Sequence, residues 1–471
     1  MSVRFSVVAL VTVAVVGCGK LPEPSFVLNE PTKELTPKAR DAVAGALKDH
    51  FGTPNQLVAW EKLPLDYGKK GGVDAIVAVG GAPTKSKFQA VVAKPSKDLS
   101  LKGLLLLWTS GANEGKSFEI KDYADGYVQL KNPCDNAVAS GDKFTVLVNE
   151  PGWRLKEGRN LYMRHCLHCH GVSGDGAGPT ADYLNPRPRD YRLGIFKFTS
   201  TTSTSKASHE DIMRTLREGV PGTSMPSFVV ILNPEEVSIV ADYVRWLAMR
   251  GEFEKRLTSE LAADYSKKAV AERQKNGEKE ADIQKALDEY LGKAGAESEF
   301  ATTIEDVGGL LAGDWKSANE PDSIVTPKSK RIEPSPESIA KGRALFMSEK
   351  AKCYSCHGDG GKGDGVSTVD YWAIPNTNPE RKYPERGLHD AWGFSQKPRN
   401  LTLGVYRGGR RPIDIYRRVF AGIKGTQMAA FGGTVFNDEE MWHVVNYVLD
   451  VPYENQTLSP LHPPAPVQAK Q

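Results

Sequence analysis

Alternation of apolar and polar residues predicts a small β-rich segment in the first third of the chain. Short apolar or alternating runs are separated there by turns rich in Gly, Asn and Asp, as in a small barrel or half-barrel. The predicted strands are residues 104–108, 117–120, 127–130 and 144–148. A helix over residues 37–51 is predicted before them, and the mixed polarity that follows it, up to residue 97, predicts no element.

Two later stretches have the 3.6-residue spacing of an amphipathic helix. The first begins at Asn233, a good N-cap before Pro234, and is expected to end at Gly251. The second begins at Asn437, with Glu440 completing its cap. The expected buried positions are Val237, Val240, Val244 and Leu247 in the first helix and Met441, Val444, Val445 and Val448 in the second.

Other stretches are predicted to lie outside packed domains. Residues 252–335 are rich in Lys, Glu and Ala or in Pro, and are expected to form a charged, solvated helical linker. Residues 454–471 are expected to be a loose Pro-rich tail. At the other end, a basic start and the apolar residues 5–17 are typical of a signal peptide, too short to span a membrane, and residues 18–36 are expected to be a tether.

One five-residue motif occurs twice, as CLHCH at residues 166–170 and as CYSCH at residues 353–357. In a helical turn the two thiols lie on one side, where they can bond the two vinyl groups on one edge of a porphyrin. The histidine that follows can offer an imidazole nitrogen to the iron. A single C-x-x-C would fit zinc, a redox disulfide or haem, but the adjacent histidine and the second copy favour haem.

The sequence around the two motifs is repeated as well. GRNLYM at residues 158–163 matches GRALFM at 342–347, and PRDYRLGIF at 188–196 matches PRNLTLGVY at 398–406. Later, GTSM at 222–225 matches GTQM at 425–428. Self-similarity on this scale indicates two copies of one domain.

The order of these parts resembles that of class I cytochromes c. In that family a helix leads into the C-x-x-C-H motif, a loop methionine supplies the sixth iron ligand, and a C-terminal helix packs across the first helix. The resemblance implies a mainly α fold of two tandem cytochrome c domains, at residues 151–251 and 336–453, behind a small α/β-rich domain at residues 37–150.

The resemblance also implies the roles of individual residues. Two haems c are expected to be attached covalently at Cys166, Cys169, Cys353 and Cys356. The expected iron ligands are His170, Met225, His357 and Met428. The proline carbonyls of Pro188 and Pro398 are expected to accept a bond from the proximal histidines. Ala429 stands where the first copy has Pro226, which makes Met428 the less secure ligand.

Further side chains allow two readings each. Arg189 and Arg399, after the repeated proline, are either surface residues or partners of a haem propionate. His165 and His168 flank the motif cysteines and are expected to be exposed. The insertion at residues 366–397 of the second copy, rich in aromatic residues, either covers a haem edge or contacts the other domain.

Composition and cysteine usage indicate the compartment. A net charge of +3 over 471 residues gives no argument for a nucleic-acid partner. Of six cysteines, four are in the haem motifs, and Cys134 is expected to be a free thiol. Cys18 ends the sequence VVGC, which resembles a bacterial lipobox, so we expect lipidation of Cys18 and attachment to the periplasmic side of a membrane.

These features predict a dihaem cytochrome that transfers electrons in a respiratory chain, between a quinol-oxidising complex and a terminal oxidase or reductase. No catalytic residue is predicted, and an electron-transfer protein or a subunit of an oxidoreductase complex is favoured over a stand-alone enzyme. The alternative is a peroxidase-like dihaem oxidoreductase with one haem open to substrate. Because the two domains are expected to be separate, loss of either methionine should affect one haem only.

Overall fold

The computed structural model describes residues 24–68, 72–80, 82–92, 101–147, 152–292, 298–375, 377 and 379–454. The predicted signal peptide, Cys18, the first part of the predicted tether and the tail from residue 455 lie outside the described residues. Within the described ranges, no helix is both long enough and apolar enough to cross a bilayer.

The N-terminal β-rich segment is a closed six-stranded antiparallel barrel with the strand order β3-β4-β7-β6-β5-β8. Its strands are β3 (Gly72–Val77), β4 (Lys87–Val92), β5 (Leu105–Trp108), β6 (Ser117–Ala124), β7 (Tyr127–Leu130) and β8 (Lys143–Leu147). The aromatic rings of Phe88, Trp108 and Phe144 meet in its core at centroid distances of 5.3–5.7 Å. Cys134 is a free thiol buried in that core, and its burial raises its pKa.

The helix predicted at residues 37–51 is present, but it does not belong to the barrel domain. This helix, α2 (Pro37–Phe51), follows α1 (Glu30–Lys33) and leads into a hairpin of β1 (Gly52–Thr53) and β2 (Gln56–Leu57). Val43, Leu47 and Phe51 of α2 are buried in one core with the first motif-bearing domain. A single domain over residues 37–150 is therefore wrong, since the barrel has a core of its own.

The first motif-bearing domain is built on two crossing helices. Its helices are α3 (Trp153–His165), α4 (Leu167–His170), α5 (His209–Glu218) and α6 (Pro234–Tyr265), with a 3-10 turn at Ala181–Tyr183. At the crossing of α3 and α6, a Cβ on Gly158 would lie 2.8 Å from the Cβ of Tyr243, so only glycine allows this approach. Capping boxes are present at Ser208 and at Asn233, where the sequence predicted an N-cap.

Helix α6 was predicted to end at Gly251, but it continues to Tyr265. A Cβ on Gly251 would lie 2.6 Å from the carbonyl oxygen of Arg192. The glycine is therefore required by a close backbone contact and not by a helix end. The extension buries Phe253, Leu257 and Leu261 completely.

The predicted solvated linker is consequently wrong for much of its length. It contains α7 (Lys267–Lys275), α8 (Glu280–Leu291), α9 (Glu299–Ser317) and a 3-10 turn at Pro321–Ser323. Helix α9 packs on α6 through Leu311 and Trp315, which are fully buried, and the indole of Trp315 donates a 3.0 Å hydrogen bond to Glu252. The charged residues lie on the outer faces of helices whose inner faces complete the first domain.

Part of the predicted tether is also packed. Thr32 and Leu35 are completely buried against α6. The buried carboxylate of Glu254 accepts hydrogen bonds from the backbone N–H of Asn29 (2.6 Å) and the hydroxyl of Thr32 (2.8 Å). A loose tether over all of residues 18–36 is therefore wrong from Phe26 onward, where the chain joins the domain core.

The second motif-bearing domain repeats the crossing with its own elements. They are α10 (Pro336–Phe346), α11 (Cys353–His357), β9 (Leu388–His389), β10 (Ser395–Gln396), α12 (Pro412–Ala421) and α13 (Asp438–Asp450), with 3-10 turns at Val366–Thr368, Leu401–Leu403 and Val451–Tyr453. A Cβ on Gly342 would overlap the carbonyl of His443, and Phe346 packs on Tyr447 at 5.3 Å. The mainly helical prediction therefore holds for both repeats, while the barrel adds a complete β unit.

Candidate functional site

Each C-x-x-C-H motif forms a short helical turn that ends at a glycine with positive φ. In the first motif, the backbone N–H groups of Cys169 and His170 donate to the carbonyl of Cys166 at 3.2 and 2.9 Å. Gly171 and Gly358, with φ near +73° and +74°, then turn the chain away. None of the four motif cysteines is paired in a disulfide, so both sulfurs of each motif are available for thioether bonds to a porphyrin.

The two motif histidines are held in the same orientation by a backbone carbonyl. Nδ1 of His170 lies 3.2 Å from the carbonyl oxygen of Arg189, and Nδ1 of His357 lies 3.3 Å from that of Arg399. The expected partners, the carbonyls of Pro188 and Pro398, are therefore wrong by one residue. Because a carbonyl only accepts, Nδ1 carries the proton and Nε2 is left with the lone pair that a metal requires.

Burial keeps these imidazoles neutral at neutral pH. It lowers the pKa of His170 to about 4, and it lowers that of His357 as well. The ring of His170 is also stacked on Tyr191 at 4.8 Å, a contact that the second site lacks because Leu401 occupies the matching position. Neutral, oriented imidazoles are the form in which histidine binds iron.

The two methionine loops have the same hydrogen bonds. The hydroxyl of Thr223 bonds the carbonyl of Val220 (2.8 Å) and accepts from the N–H of Met225 (3.1 Å). In the second loop, Thr426 makes the same two bonds, to Ile423 (2.7 Å) and from Met428 (3.2 Å). The loop around Met428 thus keeps its shape without a following proline.

The candidate ligands of both repeats line one continuous cavity of about 1050 Å³. Its walls include Cys166, His170 and Met225 from the first repeat and Cys353, His357 and Met428 from the second. Apolar walls with a few placed polar groups are typical of a cofactor site. Among the described residues, no cluster of three or more His, Cys, Asp or Glu side chains could hold a bare metal ion.

Arginine and lysine side chains supply the polar part of the cavity wall. Arg407 lines the cavity, and its buried Nε has no hydrogen-bond partner among the described residues. Burial and the neighbouring Arg399 lower the pKa of Arg407. A partly buried cation whose Nε has no partner among the described residues fits the carboxylate of a haem propionate. The thiols, the imidazoles, the thioethers and this cation together fit two haems.

Sequence reasoning did not single out Arg407, although a signal was present. The repeated LGxF/LGxY segment is followed by a basic residue in both copies, Lys197 in the first and Arg407 in the second. Both line the cavity. Of the two predicted arginines, Arg399 donates through Nε to the carbonyl of Val405 (2.7 Å), and Arg189 faces the second domain.

The two histidines beside the motif cysteines differ in exposure. His168 is exposed, as expected, whereas His165 is half-buried, and both line the cavity. Met441 is completely buried in the core of the second domain, as expected, and Met213 is a partly buried neighbour of the first core.

The two repeats pack against each other. Arg214 Nη1 lies 2.6 Å from Asp414 Oδ1, and the ammonium of Lys424 donates to Thr201 Oγ1 at 2.7 Å. Within the insertion of the second repeat, Trp392 lies under the guanidinium of Arg189, 3.6 Å from the ring centroid. The insertion therefore contacts the other domain, and the expectation of two separate sites is wrong.

Comparisons with known proteins match each repeat to a cytochrome family. Residues 155–248 match the family described as cytochrome c, and residues 337–448 match the family described as cytochrome c oxidase, cbb3-type, subunit III. No curated protein matches the chain. A solved structure of a reducing HAO-like protein complex from Kuenenia stuttgartiensis is 26% identical over 63% of this chain and 96% of that one; its TM-score of 0.41 is too low to support an inference.

Proposed function

Because this chain is a c-type cytochrome with two cytochrome c domains and two covalently bound haems c, we propose that it is an electron relay of a respiratory chain. The observation that carries the proposal is the repeated pairing of a motif histidine and a loop methionine in the wall of one cavity. A histidine and a methionine that both bound the iron would leave no place for a substrate, and the sulfur ligand would favour ferrous iron.

In this proposal, each repeat supplies the same set of groups. Cys166 and Cys169 in the first repeat, and Cys353 and Cys356 in the second, would hold the haems through thioether bonds. His170 and His357 provide Nε2, while the carbonyls of Arg189 and Arg399 fix the tautomer and the ring orientation. Haem supplies one-electron chemistry at iron, and the protein adjusts the potential through ligands, burial and charge.

The setting in the cell is proposed from the sequence and from one family match. The match of the second domain to a family described as an oxidase subunit supports partners of the respiratory type, a quinol-oxidising complex on one side and a terminal oxidase or reductase on the other. The apolar residues 5–17 and the lipobox-like sequence before Cys18 support a lipid anchor on the periplasmic side of a membrane.

Axial ligation is tested by the spectrum of the oxidised protein. The relay requires both haems to be low-spin, with the weak sulfur-to-iron band near the red edge of the visible spectrum. Met225→Ala should remove about half of that band, and so should Met428→Ala. Met213→Leu is the matched control for Met225→Ala. It changes a partly buried methionine of the first domain and should leave the band intact.

The peroxidase-like alternative makes the opposite demand. It needs one haem without a strong sixth ligand, so a high-spin haem in the unmodified protein that binds cyanide or peroxide quickly would overturn the relay. If Met428→Ala also left the sulfur band unchanged, the open site would be the second one.

The anchor is tested by one substitution. With Cys18 lipidated, Cys18→Ala should release the protein from the membrane fraction to the soluble periplasmic fraction, because the acyl chains are lost. Cys134→Ala is the control and should stay with membranes, since that thiol is buried in the barrel. Membrane attachment that survives Cys18→Ala would show that another part of the chain or a partner holds it.

A further inference from the structure

One carboxylate of the second domain projects into the basic wall of the first site. The side chain of Asp390, at the turn between β9 and β10, is only 2% exposed. Its oxygens accept from the backbone N–H groups of Trp392 and Phe394 (both 3.1 Å) and from the amide of Gln396 (3.1 Å). The insertion of the second domain therefore fixes Asp390 in place.

Asp390 faces two cations of the other domain. Its Oδ2 lies 3.3 Å from the ammonium of Lys197 and 3.7 Å from Nη1 of Arg189. Both cations line the cavity beside His170, and the backbone carbonyl of Arg189 is the one that orients that histidine. The carboxylate is therefore part of the electrostatic surroundings of the first haem, although it belongs to the second domain.

Among the described residues, no carboxylate forms an ion pair with the matching cation of the second site. That cation is Arg407, which corresponds to Lys197 in the repeat; its Nε has no hydrogen-bond partner among the described residues, and its charged neighbours Arg399 and Lys197 are both cations. Asp390 therefore offsets positive charge at Lys197 and Arg189 but makes no ion pair with Arg407. Since positive charge near a haem favours the ferrous form, this asymmetry favours a lower potential at the first site.

We propose that Asp390 lowers the reduction potential of the first haem by offsetting one of the two positive charges of Lys197 and Arg189, and so biases an electron shared between the two sites toward the second. This inference rests on the proposed electron relay and adds to it a positioning residue that acts across the domain interface. The direction follows because a negative charge stabilises the ferric form of a nearby haem.

The test is a redox titration of the holoprotein at pH 6.5, where Lys197 is charged. Asp390→Asn should raise one of the two potentials, on the order of tenfold in the ferrous-to-ferric ratio, which is about 59 mV for a one-electron couple. Lys197→Met should lower the same potential. The double variant should return close to the unmodified value, because the two charges are removed together.

The potential is expected to rise in Asp390→Asn and to fall in Lys197→Met. These opposite shifts distinguish an effect of charge from a loosened domain interface. Loosening admits water, which favours the more charged ferric form, so it would lower the potential in both single variants. Glu385→Gln removes an exposed carboxylate from the same insertion and should shift neither potential. A fall of the potential in Asp390→Asn, or no change, would overturn the proposal.

The potential that moves must belong to the first site. Combining Asp390→Asn with Met225→Ala, which alters the spectrum of the first haem, makes this assignment. Potentials can be measured whichever sixth ligand is present, so a wrong methionine assignment would appear as an unchanged sulfur band and not as an unchanged potential. If the shifted potential is that of the second haem, the inference is wrong although the relay stands.

Discussion

At the scale of single residues, hydrogen bonds outside the iron ligands determine what each ligand can do. The carbonyls of Arg189 and Arg399 fix the tautomers of the two histidines, and the hydroxyls of Thr223 and Thr426 shape the methionine loops. The motifs predict the ligands themselves, because their spacing follows from the porphyrin. The predicted carbonyl partners of the histidines, at Pro188 and Pro398, were wrong by one residue, because backbone direction in an irregular loop leaves no pattern in the sequence.

Arg407 allows a test at this scale. Its replacement in Arg407→Gln should lower the potential of the second haem, since a partly buried cation that favours the ferrous form is removed from the cavity wall. Arg410→Gln is the control, because Arg410 is exposed and bonds only the hydroxyl of Tyr453 at 2.8 Å among its described hydrogen bonds. Redox titration measures both. Equal shifts in the two variants would mean that the effect is one of net charge and not of the cavity wall.

At the scale of elements, the sequence predicted where helices lie more reliably than it predicted which elements they pack against. Caps and spacing located the starts of α6 and α13, because those signals are local. The strands β3 and β4 were missed, because Gly and Lys residues interrupt their alternation. The burial of α9 was missed since its charged outer face dominates the composition, and a composition does not reveal which face meets a neighbour.

Glycines in two of these helices should respond oppositely to the same change. Gly251→Ala should lower the free energy of unfolding, because the new methyl would meet the backbone of Arg192 at 2.6 Å or less. Gly309→Ala, in α9, should raise the free energy of unfolding by about 1 kcal/mol, because a Cβ there meets nothing within 4 Å and alanine is the better helix former. Urea titration measures the free energy of unfolding of both variants and of the unmodified protein. Stabilisation by Gly251→Ala would show that the close contact relaxes at no cost.

At the scale of the whole molecule, the two repeats form one unit around a shared cavity. The sequence predicted two copies, but similarity between copies says nothing about how they are arranged. Some of the contacts that join them use residues of the insertion, such as Asp390 and Trp392, which have no counterpart in the first repeat. Others join the helices α5 and α12 through Arg214 and Asp414. The arrangement of the two sites therefore follows from the structure alone.

Lys424 gives this interface a pH dependence. Burial lowers its pKa from 10.5 to about 8, while Asp211 favours and Lys206 opposes the charged form. The unfolded chain therefore binds more protons than the folded one between pH 8 and 10.5, so stability contributed by this group rises with pH across that window. The unmodified protein should gain stability relative to Lys424→Met as the pH is raised from about 8 to 10.5.

Urea midpoints of the two proteins, measured from pH 7 to 10.5, make this comparison. The other titrating groups occur in both proteins, so their effects cancel in the difference. A difference that is constant with pH, or that moves the other way, would show that Lys424 is neutral or well solvated in the folded chain.

The docking of the N-terminal segment on α6 limits how far a lipid-anchored chain can reach. Phe26 already contacts the core, with its ring 5.8 Å from that of Trp246 and beneath the guanidinium of Arg250. With Cys18 lipidated as proposed, at most eight residue steps of about 3.5 Å each, or about 30 Å, separate the acyl chains from the folded body. The haems then stay close to the bilayer surface. Encounters with a redox partner in the same membrane would be governed by lateral diffusion, and the partner's electron exit must lie at a matching height above the lipid.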